Sequence, residues 1–285
     1  MIRLVGLVLF VALGGLGSLE ADTPVPPSFE KENLVAWCIV PFDAKKRGPE
    51  ERARMLKELG LTRSAYDWRQ NHIPEFEKEI LAYQRHGIEM FAFWSGHEEA
   101  FRLFKKHGIH PQIWKTVPSP EGETQEERVS AAVRKLEPLV KRAGEAGCAF
   151  GLYNHGGWGG EPENLVAICK AFRERGDSHV GIVYNFHHAH DRIDSWAADF
   201  EVMKPFLLCL NLNGMVPGGD REGKKILRLG GGTKESDMIN AVLRSGYEGP
   251  IGILDHRNET DTRETLLENL EGLEQVLETL KEPGK

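Results

Sequence analysis

Three histidines fall within four positions, His187, His188 and His190, just after Asn185. Neutral imidazole ligates divalent transition metals and titrates near neutrality, so this run can hold a metal or move a proton. On a strand, neighbours alternate between faces, so either His188 or its two flankers point inward together. His188 is the expected functional member, with His190 and His187 read as loop or cap residues. A second group is Tyr153-Asn154-His155 followed by Gly156-Gly157-Trp158-Gly159-Gly160. Glycine there admits a ligand close to the backbone, and Trp158 offers a face for a sugar ring. A plain flexible loop is the competing reading. An oxyanion hole at His155-Gly156-Gly157 is disfavoured, since no Gly-x-Ser-x-Gly nucleophile elbow follows.

These residues need a scaffold. Short apolar runs at Leu34–Val40, Arg63–Asp67, Glu89–Trp94, Pro111–Trp114, Ala149–Asn154, Val180–Phe186, Leu207–Leu212 and Pro250–Leu254 predict eight strands. Between and after them lie amphipathic stretches at Pro49–Leu59, Ile73–His86, Glu98–His107, Thr124–Ala146, Pro162–Arg175, Ile193–Met203, Ser236–Ser245 and Thr262–Leu280. Near-continuous apolar strands alternating with helices imply a parallel sheet, and eight such units favour a closed (β/α)₈ TIM barrel. In that fold the working site lies at the C-terminal strand ends. Those ends read Pro41-Phe42-Asp43, Tyr66-Asp67-Trp68-Arg69, Trp94-Ser95, Trp114-Lys115, Tyr153-Asn154-His155, Asn185 to His190, Asn211-Leu212-Asn213 and Asp255-His256. Six of the eight carry His, Asn or Asp beside an aromatic or another polar group. Trp94, Trp114, Trp158 and Tyr66 are expected to line one pocket there, because aromatic faces pack on the apolar side of a sugar. Gly230-Gly231-Gly232 below Lys224 and Lys225 could cradle a phosphate, with a flexible loop at least as good a reading. His86, His107, His110 and His179 fit helix ends or loops.

The chain has 285 residues and a formal net charge of −7, which argues against a nucleic-acid partner. Met1-Ile2-Arg3, an apolar run to Gly17 and a polar shift at Ser18 have the layout of a secretory signal peptide. That run is too short for a spanning helix, which needs roughly 20 apolar residues. The expected organisation is a leader over residues 1–21, an extended lead-in over 22–32, and one barrel over 33–285. The mature protein is then secreted or periplasmic, without stable membrane insertion. Cys38, Cys148, Cys169 and Cys209 match neither a zinc nor a disulfide framework and read as small core residues.

Ala65-Tyr66-Asp67-Trp68-Arg69, Leu152 to Trp158, Gly181 to Asn185, Asn211 to Met215 and Gly246-Tyr247 with Gly249 to Ile253 carry a resemblance across essentially the whole mature chain. The chain resembles the xylose-isomerase-like sugar isomerase/epimerase barrels, which are related to apurinic-site endonucleases, and within them a secreted bacterial branch. The resemblance implies one divalent metal, held by a glutamate after strand five, an aspartate and a histidine after strand six, a histidine after strand seven and a glutamate after strand eight. Here those positions read Tyr153, Asn185 with His188, Asn211, and Asp255 or His256. Nearly every anionic ligand is replaced. A site of His155, His188 and His256 with asparagine carbonyls would be neutral and suit zinc, cobalt, manganese or nickel, with metal-free catalysis the other reading.

Two main functions follow. One is isomerisation, epimerisation or keto-glycoside elimination, by proton abstraction next to a sugar carbonyl. His155, His188 or Asp67 would serve as base, and Lys115, Arg69 or a metal as the positive charge. Trp94, Trp114, Trp158, Asn185, Asn211, Asn213 and Lys224 are the accompanying candidates for carbohydrate contact. The other is a non-catalytic carbohydrate-binding barrel. A nuclease is disfavoured by the acidity and the missing carboxylates.

Overall fold

Eight strands pair in parallel in chain order, and the last closes on the first. They are β1 (Val35–Trp37), β2 (Arg63–Tyr66), β3 (Glu89–Trp94), β4 (Gln112–Thr116), β5 (Phe150–Tyr153), β6 (Val180–Asn185), β7 (Leu207–Leu212) and β8 (Ile251–Leu254). The structure is a computed structural model that describes residues 26–281. The helices are α1 (Pro49–Glu58), α2 (Phe76–His86), α3 (Glu98–His107), α4 (Gln125–Glu145), α5 (Pro162–Glu174), α6 (Trp196–Met203), α7 (Glu235–Arg244) and α8 (Thr262–Lys281). This is the expected single (β/α)₈ barrel. The expected leader lies outside the described residues. Among the described residues no helix is long and apolar enough to cross a membrane. All four cysteines are free and buried.

Local chemistry sets the element ends. Gly87 and Gly108 close α2 and α3 at φ 70° and 61°, where a side chain would be strained. The lead-in is not extended throughout, because Pro27–Phe29 and Lys31–Asn33 form 3₁₀ turns that bury Phe29. The helix expected from Ile73 begins as a 3₁₀ turn over Gln70–Glu75, since Pro74 lacks the N–H that an α-helix would use. The seventh helix starts at Glu235 rather than Ser236, and the buried Glu235 carboxylate accepts from the amides of Met215, Gly232 and Lys234. Those contacts also settle the glycine run. Gly232 spends its N–H on Glu235, and a Cβ there would fall 2.3 Å from the Met215 nitrogen. It packs a loop and does not cradle a phosphate.

Inside the barrel, Val35, Trp37, Ala65, Trp114, Tyr153, Val183, Cys209 and Leu254 pack into one cluster, while the other strand faces pack on the helices. Trp37 sits edge-on to Trp114 at 4.9 Å, and Trp94 edge-on to Tyr153 at 4.9 Å. The barrel is therefore plugged by aromatic rings, and a ligand can enter only above them. At its outer wall α8 presses on the loop after β7: a Cβ on Gly272 would lie 1.9 Å from the Leu229 carbonyl oxygen. Gly272→Ala should therefore cost about 1–3 kcal/mol through overpacking, despite a helix-propensity gain of about 1 kcal/mol. Urea denaturation checks this, and a more stable variant would show that α8 can slide.

Candidate active site

The turns after β5, β6 and β8 bring four imidazoles to one end of the barrel. His155 and His188 have ring centroids 4.3 Å apart, His188 and His187 3.9 Å, and His187 and His256 5.8 Å. β5 and β6 are paired neighbours, so residues just past their ends must lie close. The two residues after His155, Gly156 and Gly157, take φ 77° and 60°, so glycine serves the turn that presents this histidine. His155 is exposed, His188 half-buried and His187 fully buried. Tyr153 lies beneath, edge-on to His188 at 5.9 Å. Phe42 stacks on His256 at 3.9 Å, and the Arg69 guanidinium lies 5.5 Å over Phe42.

His187 enters this group although strand alternation makes it a flanker of His188. Phe186–His188 is a 3₁₀ turn, not strand, so adjacent side chains no longer alternate. Neither His187 nitrogen has a hydrogen-bond partner, and neither does His256 Nδ1 or Asp67 Oδ2. Burial pushes the His187 pKa well down, and the other imidazoles and Lys225 add to the effect. Burial first, then Lys225 and His155, takes His188 down to about 2. His256 falls to about 4, from burial and then Lys225 and Arg69. All three rings are neutral at physiological pH. Burial moves Asp67 the other way, up to about 7, against the pull of Arg69 and the Val40 N–H.

Several expected site residues lie elsewhere. Trp114 is 0% exposed inside the barrel plug and has its Nε1 bonded to Gln112. Tyr66 faces the helical layer against Phe76 and Phe93. Trp158 packs toward α4, donating to Gln125 beneath the Arg128 guanidinium. The expected four-aromatic pocket is therefore absent, and only half-buried Trp94 stays on the floor of the mouth, against Tyr153. Lys115 follows inward-facing Trp114 on its strand, so it points outward, and its Nζ donates to Ser95 at 2.7 Å. Lys224 is exposed and paired with Glu222. Lys225, read from the sequence only beside a possible phosphate cradle, is the lysine that acts on His187, His188 and His256. Asn213 is buried and ties Gly214, Lys225 and Leu227 of the loop after β7.

Asn185 and Asn211 are 0% exposed and cannot touch a ligand as expected. They belong to an amide ladder. Asn154 Oδ1 accepts from both the backbone N–H and the Nδ2 of Asn185 at 2.8 Å, and Asn211 Nδ2 donates to Asn185 Oδ1 at 2.7 Å. Gly252 makes room for the last rung, since a Cβ there would collide with the Asn211 amide.

A family model described as xylose isomerase-like TIM barrel matches residues 30–282. The chain belongs to that family. Among solved structures it is similar to the 3-keto-D-glucoside 4-epimerase of E. coli, at 14% identity and TM-score 0.63 over 86% of this chain and 99% of that one. It is also similar to the D-psicose 3-epimerase of Clostridium cellulolyticum H10, at 12% identity and TM-score 0.59 over 86% and 99%. A third is the IOLI protein solved with a zinc atom, at 14% identity and TM-score 0.65 over 86% and 98%. At these identities the likeness establishes the fold. No curated protein matches by sequence.

The family's carboxylate-rich metal group does not fit the residues present. Its sixth- and seventh-strand positions are amides bonded to one another. Asp255 is committed to Thr262 Oγ1 at 2.7 Å and the Arg257 N–H at 3.2 Å. Among the described residues no three His, Cys, Asp or Glu are arranged to hold a metal ion, and His155, His188 and His256 form no such set. What the mouth offers is neutral N–H donors and acceptors beside two cations.

Proposed function

We propose that this barrel moves a proton at the carbon next to a sugar carbonyl, with His155 and His188 working as a pair. The supporting observation is their 4.3 Å ring separation at the strand-end mouth. Their roles divide by environment. With its pKa near 2, His188 is too weakly basic to take a proton from carbon at neutral pH. Its neutral ring can instead donate N–H to the carbonyl oxygen and stabilise the developing enediolate. His155, exposed and adjacent, then carries the proton. Isomerisation, epimerisation and elimination from a keto-glycoside all begin with this step.

The step is read directly as deuterium entering the carbon beside the carbonyl in heavy water, followed by NMR over ketohexoses and 3-keto-glycosides. Wild type should exchange at least one sugar of the panel. His155→Ala and His188→Ala should each slow that exchange by roughly 100-fold, the usual contribution of a positioned acid or base. Unchanged exchange in both variants would sink the pair. A non-catalytic carbohydrate-binding barrel is the second reading, favoured by the amide ladder that stands in place of carboxylates. Under it, sugars bind and no carbon-bound hydrogen exchanges.

A further inference from the structure

The chain is acidic, with formal net charge −7, yet two cations, Arg69 and Lys225, act on the imidazoles at the barrel mouth. Arg69 is exposed and makes no ion pair among the described residues; its Nη1 donates to the backbone carbonyls of Asp67 and Trp68. Its guanidinium rests over Phe42, which stacks on His256. Lys225 comes from the loop after β7, and its place is fixed. The Lys225 carbonyl accepts from Asn213 Nδ2 and contacts His190 Nε2, each at 3.0 Å. The next residue, Ile226, packs on the barrel-interior cluster. The carboxylate nearest Lys225 is Asp220 at 3.6 Å, a solvated pair of the kind that contributes little.

The carboxyls below this rim offset it only in part, because burial raises Asp67 to about 7 and Asp255 to about 6. Beside them His187 is wholly buried with both nitrogens unpartnered, and His256 Nδ1 is unpartnered too. An arginine without an ion pair and an unsatisfied His256 nitrogen, linked through Phe42, suit a ligand that answers both. Hydroxyls of a neutral sugar bring no charge to Arg69 or Lys225, whereas a carboxylate pairs with them through charge-assisted hydrogen bonds.

We propose that the mouth takes a sugar acid, a uronate or an aldonate, whose carboxylate is held between Arg69, Lys225 and the His256 imidazole. This rests on the reading of the mouth as a sugar site, and it names the substrate class of that site.

Calorimetric titration with D-glucuronate against D-glucose, and D-galacturonate against D-galactose, tests the proposal without requiring turnover. At least one uronate should bind roughly tenfold or more tighter than its hexose and weaken with added salt. Arg69→Gln and Lys225→Gln should each remove most of that preference, with uronate affinity falling toward that of the hexose and its salt dependence lost. Lys225→Arg should retain the preference, which guards against a variant that has merely lost its fold. Equal affinity for acid and neutral sugar overturns the proposal. So does the absence of binding by either, or competition by sulfate as effective as by the uronate itself. Tight, charge-dependent uronate binding with no deuterium exchange in any sugar upholds this inference and removes the proton-transfer reading.

Discussion

Replacing Glu79 with alanine should cost the folded state about 3–5 kcal/mol, the usual penalty for breaking a buried ion pair. Glu79 on α2 holds Arg52 on α1 at 2.6 Å, with side-chain exposures of 0% and 3%. Arg52 also donates to the Arg47 carbonyl, while its Nε and Glu79 Oε1 have no partner. The pair is thus sealed under the first two helices and incompletely satisfied. Without Glu79, a guanidinium would remain in an apolar layer beside Tyr66 and Tyr83. Burial and then the Glu79 charge already push both phenols up, so neither can supply a counter-charge. Chemical denaturation of Glu79→Ala measures the loss. Exchanging both partners together, Arg52→Met with Glu79→Leu, should recover most of it, because no buried charge is then left alone. A single variant within about 1 kcal/mol of wild type would mean that water reaches Arg52.

That ion pair is invisible in the sequence, because nothing in Glu-Arg-Ala-Arg distinguishes Arg52 from exposed Arg54. The strands are different. Parallel strands buried on both faces are near-continuous apolar runs, so all eight were legible, with ends displaced by up to three residues. Which strand-end side chain turns inward depends on register, and register is not written locally. Trp114 and Tyr66 look alike as aromatics near strand ends, yet one plugs the barrel and the other joins the helical layer. A register shift between Ser64 and Ala65 shows how little fixes that parity. His187 did carry a signal: it shares parity with Asn185, an inward rung of the amide ladder. The 3₁₀ turn then adds His188 to the same group, which no period-two argument can foresee. Lys225 lies in an aperiodic loop, so choosing between it and Lys224 required the contacts of Asn213 and His190.

The stability of Asp67→Asn relative to wild type should rise by about 4 kcal/mol between pH 4 and pH 7.5. Burial raises Asp67 from 3.8 to about 7 in the folded protein. Between those values the folded chain holds a proton that the unfolded chain has released, so rising pH works against folding. Each unit of displacement is worth about 1.4 kcal/mol, which gives the total. Asp255, raised to about 6, acts in the same direction over a narrower window. The histidines act in the opposite one. His187, His188 and His256 have folded pKa values below 6.5, so the unfolded state takes up protons first and stability falls as pH drops below that value. In wild type the two trends partly cancel. Asparagine removes only the Asp67 contribution and leaves the imidazoles in place, so the pH dependence of the difference reports this single carboxyl. Denaturant titrations of both proteins at half-unit pH steps would trace it, with any constant offset from the amide dropping out. A flat difference would place the Asp67 carboxyl near its ordinary value and hence in contact with water. A sloping one would leave a buried carboxyl, held against the Arg69 charge and the Val40 N–H, that titrates near neutrality.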